Sequence, residues 1–265
     1  MKLKLWMIPA TTLSCLAFFH SLAFSEVRWQ MLAPDLEMTQ SLISTTTIFN
    51  SEILAFRTSL TKFQLGVVES RAFGTLRGTA KTLALASKAP LIINANFFDE
   101  QGMPLGLVIS RGIPSSSIHY GGQTLTGILS VSHLGVAISH RSDRIPSSSS
   151  EAIQSGPRLI LNGKITENVN SEDRSRRSAV CLDKKQRLII LVSSGLVGVT
   201  LHELQLKLKE PDFDCQDALN LDGGGSSQLY VNTKILTDHA EDEEIFIAGR
   251  DPIPVALGLF PRSAN

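Results

Sequence analysis

The chain has 265 residues, 43% hydrophobic and 19% charged, with 25 basic and 25 acidic side chains. This composition is ordinary for a soluble globular protein and long enough for one large domain or two small ones. A formal net charge of zero gives no sign of a nucleic-acid footprint.

The first residues have the pattern of an export signal, residues 1–25. Lys2 and Lys4 form a short basic region, Leu5 to Phe24 is mostly apolar, and Ala23-Phe24-Ser25 offers the small residues a signal peptidase reads. Cleavage after Ser25 would place the mature domain at 26–265 and send it to the periplasm or outside the cell. An uncleaved membrane anchor is the alternative, although Pro9, Thr11-Thr12 and His20 interrupt the apolar run. Loss of two lysines shifts the formal charge from zero to about −2. Cys181 and Cys215 remain. In an exported protein they either pair or stay as two buried thiols.

From Glu26 to about Glu69 the text is strand-like, with Ile53 to Phe56 and Phe63 to Val68 as its clearest runs. Thr79 is placed to cap a helix from Ala80 to Lys88, stopped before Pro90. Leu91 to Asp99 begins as a buried strand and then sets Asn94 and Asn96 on one face. Asparagines buried there are either structural cross-links or ligand contacts. Leu105 to Ser110 is predicted to return as a strand, with Arg111-Gly112 as its turn.

Residues 115–122 form a polar loop, in which His119 has acid-base use only if the loop closes over a pocket. Leu125 to Val131 and Gly135 to Ser139 are a hairpin-like pair. Asn162-Gly163 is a strong hairpin signal, so Arg158 to Leu161 is a strand running into it. Arg158, beside Gly156-Pro157, either meets a phosphate or carboxylate bidentately or faces solvent at an edge.

Ser178 to Leu182 and Leu188 to Val192 are predicted strands joined by a turn at Asp183 to Gln186. Thr200-Leu201-His202-Glu203 is a capping box that starts a helix with Leu201, Leu204 and Leu208 on one face. Asn232-Thr233-Lys234 turns the chain, and Asp238 to Glu244 is an acidic stretch without the alternate-residue spacing of a Ca²⁺ loop. Pro254 to Phe260 is the last strand. Many strands with a few packed helices give an α+β fold, a single domain with a strand-rich mixed sheet.

The stretch Ala218 to Val231 is the most informative. A short apolar run ends at Asp222, Gly223, Gly224 and Gly225 follow, then Ser226 and Ser227, then an alternating strand. Three glycines between buried strands mean either a sharp hairpin with a solvated Asp or backbone amides facing a ligand as an anion-binding nest. No lysine follows them, so this is not a nucleotide P-loop, and Gln228 stands where a nucleophile elbow needs Gly.

Asn94-Ala95-Asn96-Phe97-Phe98-Asp99 with Pro104 to Val108, Ser155 to Ile160, Arg177 to Val180, Leu219 to Val231 and Val255 to Phe260 together resemble the phosphodiester glycosidase family. Asn96 stands where many members carry a second Gly, and Ser178 where Thr often follows the Arg. The resemblance implies an exported hydrolase that cleaves between a sugar C1 and a phosphodiester oxygen. It releases a free sugar and a phosphomonoester, so the partner is a sugar phosphodiester or phosphorylated glycan. On this reading Asp222 is the first choice and Asp99 the second for activating water or attacking C1. Arg158, Arg177 and the Gly223, Gly224, Gly225, Ser226 and Ser227 amides and hydroxyls stabilise the leaving phosphate. Asn94, Asn96 and Asn220 orient sugar hydroxyls. A divalent cation, Ca²⁺ or Mg²⁺, would instead make Asp222 a ligand. Two rival readings stay open: a non-catalytic module that binds phosphorylated or anionic glycan, and a metal-dependent phosphodiesterase cutting on the phosphorus side.

Overall fold

The computed structural model describes residues 28–43, 51–167, 169, 172–236 and 244–262. The predicted export signal and most of the acidic stretch, 237–243, lie outside the described residues.

In chain order the strands are β1 (Gln30–Ala33), β2 (Leu36–Ile43), β3 (Ser51–Thr58), β4 (Phe63–Glu69), β5 (Leu91–Asn94), β6 (Val108–Ser110), β7 (Ile113–Ser116), β8 (Gly127–Ser132) and β9 (Gly135–His140). They continue as β10 (Glu151–Ser155), β11 (Arg158–Leu161), β12 (Lys164–Ile165), β13 (Ser178–Asp183), β14 (Leu188–Ser194), β15 (Cys215–Asn220), β16 (Leu229–Val231), β17 (Ile245–Ile247) and β18 (Val255–Pro261). The helices are α1 (Ala80–Ser87), α2 (Leu201–Lys209) and the short α3 (Thr233–Leu236).

The strands form three sheets: β1-β2-β3-β14-β13-β15-β11-β12, β7-β6-β10-β8-β9 and β17-β16-β5-β18-β4. The inner faces of all three meet in one core. Phe56, Val180 and Leu219 come from the first sheet, Val108, Leu129 and Ile153 from the second, and Leu65, Ile93 and Leu257 from the third. Helices cover outer faces. α2 lays Leu201, Leu204 and Leu208 on Ala179, Ile189 and Leu191 of the first sheet. α1 lays Ala80, Leu83 and Ala84 on Ile92 and Ala256 of the third. Strand β14 therefore buries alternate residues in two different cores, which accounts for its unbroken apolar run.

Both predicted helix starts are present as capping boxes, Thr79 with Thr82 and Thr200 with Glu203. Asn162 (φ 48°) and Gly163 (φ 74°) make the predicted turn between β11 and β12.

The structure refines the expectations at several points. Every ladder between strands among the described residues is antiparallel, so the sheets are not mixed. Strand dominates so strongly that α+β fits only loosely, because antiparallel neighbours join through tight turns and need no crossover helix. The Leu105 to Ser110 strand begins only at Val108, since the Leu105 amide goes to Phe97 O and the Leu107 amide to Gln154 Oε1. Residues after Asn232 form a helical turn, Thr233–Leu236. The strands either side of Asp222 do not form a hairpin: β15 belongs to the first sheet and β16 to the third.

Cys181 and Cys215 are joined as a disulfide between neighbouring strands β13 and β15, 34 residues apart in sequence. Both are buried beneath α2. Replacing both by Ala is expected to lower unfolding free energy by about 2–4 kcal/mol through loss of the loop constraint, read as a lower urea midpoint. An unchanged midpoint would mean that the sheet alone fixes this pair of strands.

Candidate functional site

The site lies where one strand from each sheet ends. β5 stops at Asn94, β10 at Ser155 and β15 at Asn220. Their continuations bind each other through the backbone: the Asp222 amide donates to Ala95 O at 3.0 Å, and the Asn220 amide to Pro157 O at 3.1 Å. A chain that leaves a ladder inside a protein must find other partners for its polar groups. Here buried amide side chains supply them.

Asn94 is fully buried and makes three bonds. Nδ2 donates to Asp222 O at 2.6 Å, while Oδ1 accepts from Ser178 Oγ at 2.7 Å and from the Gln228 amide at 3.1 Å. Its role is that of a cross-link between sheets, the first of the two alternatives for these asparagines. Gln228 extends the link: Oε1 accepts from the Ala80 amide at the start of α1, and Nε2 donates to Asp251 O. Gln154, also buried, uses both ends of its amide. Oε1 accepts from the Leu107 and His119 amides, and Nε2 donates to His119 O and Leu125 O. The 115–122 loop is thereby pinned through its backbone, with the His119 residue exposed.

Asn96 and Asn220 behave differently from Asn94. Asn96 Nδ2 donates to Gln154 O at 3.0 Å and Asn220 Nδ2 to Gly156 O at 2.8 Å, so the two amides bracket Ser155. The oxygens Asn96 Oδ1 and Asn220 Oδ1, with the Ser155 and Ser227 hydroxyls, are buried and have no protein partner. Buried polar atoms in this state call for a donor or acceptor from outside the chain.

Asp222 sits at the mouth of this cluster. Its Oδ1 accepts from the Gly223 amide at 2.8 Å. Burial pushes its carboxyl up to about 6, only partly opposed by the Ser226 hydroxyl and the Gly223 amide, and the Asp251 charge pushes it further. Asp251 was not foreseen from the sequence. It lies in the loop before β18, its amide bonded to Gly225 O, and its carboxylate packs on Gly225 so closely that any Cβ there would overlap it. The only sequence signal is the Gly249-Arg250-Asp251-Pro252 turn ahead of the last strand. Asp99, by contrast, closes its own turn. Oδ1 accepts from the Met103 amide at 2.7 Å, and its amide donates to Met103 O. The second carboxylate acting on Asp222 is Asp251, not Asp99.

Four of the five amides of the expected nest are engaged inside the protein. Gly223 N serves Asp222, Gly224 N donates to Arg176 O, Ser226 N to Gly223 O and Ser227 N to Gly224 O. Those amides fold the loop and are not turned to a ligand. Guanidinium groups surround it instead. Arg177 packs beside Gly223, held by bonds from Nε to Val199 O and from Nη2 to Asp173 O, and burial pulls its pKa below the ordinary value. Arg176 donates to Ala248 O and Ser227 O. Arg158 begins β11 opposite Leu219 with its stem against Gly127, and among the described residues its guanidinium has no partner. The donors near Asp222 that could hold a cation are hard oxygens, Asp222, Asp251 and the two asparagine Oδ1 atoms. Among the described residues no three His, Cys, Asp or Glu side chains come together.

Solved structures similar to this chain share its fold. A catalytic domain of zebrafish N-acetylglucosamine-1-phosphodiester alpha-N-acetylglucosaminidase, auto-inhibited by its pro-peptide, superposes with a TM-score of 0.65 at 22% identity, over 87% of this chain and 85% of that one. A hypothetical protein from Synechocystis gives 0.60 at 17% identity over 86% of this chain, which spans 62% of the Synechocystis chain. No curated protein sequence matches. The Phosphodiester glycosidase family model matches residues 87–260, from just before β5 to β18, and so takes in every strand end that builds the site. The chain therefore belongs to the phosphodiester glycosidase family.

Proposed function

We propose that the protein is an exported hydrolase that breaks the bond between a sugar C1 and a phosphodiester oxygen. The observation that carries this reading is Asp222, a desolvated carboxyl with a pKa of about 6. It lies two residues after Asn220, whose side-chain oxygen is buried without a partner, and one before Gly223, against which Arg177 packs. The carboxylate takes a proton from water as the water oxygen attacks C1. The C1–O bond breaks, and its electron pair stays on the phosphate oxygen. A phosphate leaves readily, so charge stabilisation by Arg177 and Arg158 matters more than a strong general acid. Asn96 Oδ1, Asn220 Oδ1 and the Ser155 and Ser227 hydroxyls are the groups that would meet sugar hydroxyls. The disulfide accords with an oxidising compartment, the periplasm or outside the cell.

The test is product analysis with UDP-N-acetylglucosamine, for wild type and Asp222→Asn, with and without chelator. Free N-acetylglucosamine with UDP is expected from wild type, and Asp222→Asn should reduce the rate at least about 100-fold, within the range for loss of a positioned proton acceptor. Sugar 1-phosphate would move cleavage to the phosphorus side, and loss of activity in chelator would make Asp222 a cation ligand. Binding of the substrate by both proteins without any product would leave a glycan-binding module.

Two pH predictions follow from the raised pKa. As the proton acceptor, Asp222 must be ionised, so kcat/KM should rise with pH through about 6 and level off above it. A descending limb at that pH would assign the acid role instead. Stability has the opposite sign. The fold favours the protonated carboxyl, a contribution present in full below the unfolded value of 3.8 and lost as pH rises through about 6. Asp222→Asn should thus be more stable than wild type at pH 7.5, by about 1–3 kcal/mol, and the difference should shrink by pH 4. Equal thermal shifts at both pH values would contradict the burial of this charge.

A further inference from the structure

Gly224 borders an open cleft of about 380 Å³, lined also by Arg174, Ser175, Arg176, Arg250 and the 195–198 loop. Among the described residues no carboxylate lines it. Arg174 is neutralised by Glu203, bound through both guanidinium ends. The other two cations are not. Arg176 spends Nη1 and Nη2 on backbone carbonyls, which carry no charge, and its Nε is buried with no partner. The Arg250 guanidinium has no hydrogen-bond or ion-pair partner among the described residues, while its amide is fixed on Gly225 O at 2.8 Å. Burial first and the Arg250 charge second pull the Arg176 guanidinium below its ordinary pKa. Two guanidinium groups brought to one cleft, with no carboxylate partner among the described residues, make it a site suited to an anion.

The position of the pair decides which anion. Arg177 lies beside Gly223, next to Asp222, and does not line the cleft. Arg176 and Arg250 come from two other segments and line the cleft together with Gly224, the next residue of the glycine loop. Two cationic positions in series match two phosphates in series. We propose that the Arg176–Arg250 cleft binds a second anionic group on the leaving side of the substrate, so that the preferred substrates are sugar diphosphate esters and not simple sugar monophosphodiesters. This rests on the hydrolase reading for the substrate, but not for the anion site itself.

The experiment has two arms. Calorimetric titration with inorganic pyrophosphate and with inorganic phosphate reads the cleft directly, in wild type and Arg250→Gln. Pyrophosphate should bind at least 10-fold more tightly than phosphate to wild type, and Arg250→Gln should remove most of that advantage. The second arm compares kcat/KM for UDP-N-acetylglucosamine with that for N-acetylglucosamine 1-(methyl phosphate). Wild type should favour the diphosphate by 10-fold or more, and the ratio should collapse toward one in Arg250→Gln. Cleavage of both esters at similar rates, with no pyrophosphate preference, would overturn the cleft proposal and leave the hydrolase reading standing. Arg250-dependent pyrophosphate binding without cleavage of either ester would uphold the anion site while the hydrolase reading falls.

Discussion

The site depends on one buried amide, Asn94. The chain must pass from the first sheet to the third between Asn220 and Leu229, and a loop buried at that crossing has no ladder to satisfy it. Asn94 closes the gap from β5, holding Asp222 O with its nitrogen and Ser178 Oγ and the Gln228 amide with its oxygen. Those three partners belong to the loop, to β13 of the first sheet and to the lead into β16 of the third. An aliphatic side chain of similar size would leave three polar groups unpaired at once, each at about 1–3 kcal/mol. The carboxylate of Asp222 is therefore aimed by a cross-link that never needs to touch a substrate.

The same crossing explains the loop's composition. Gly225 is there because Asp251 packs where its side chain would be, and Asp251 in turn adds its charge to the field around Asp222. Desolvation and a neighbouring carboxylate act in the same direction, and neither the Gly223 amide nor the Ser226 hydroxyl cancels them. A charge held in this way weakens the fold at neutral pH. Sites that break a local rule in this way are commonly functional ones, their cost offset elsewhere in the fold.

Local features were legible in the sequence. Thr79, Thr200 and Asn162-Gly163 act over a few residues, and capping and turn chemistry are decided at that range. The unusual setting of Asp222 was also visible, since three glycines after a buried strand need a reason. What was hidden is everything set by tertiary partners. Asp99 and Asp251 are each a lone Asp near a turn, and only the packing on Gly225 separates the one that acts on Asp222 from the one that closes its own turn. Likewise Asn94, Asn96 and Asn220 look alike in sequence. One is saturated by protein partners, and two keep an unpartnered buried oxygen. That distinction follows from which strand end each faces, and alternation along a single strand does not contain it.

The glycine loop shows why a motif's composition does not give its mechanism. A run of glycines suggests amides presented to an anion, yet here those amides turn inward, to the Asp222 carboxylate, to Arg176 O and to the loop's own carbonyls. Inward amides make the loop rigid, and a rigid loop can hold long cationic side chains on both of its flanks. Arg177 stands at Gly223, and Arg176 with Arg250 stands beyond Gly224. The division has a physical logic. An amide donates one hydrogen bond with a partial charge, whereas a guanidinium carries a full charge and can bind two oxygens of one phosphate. A leaving group that departs as an anion is better met by the second. In the proposed hydrolysis the glycines would thus act through the arginines they allow to approach.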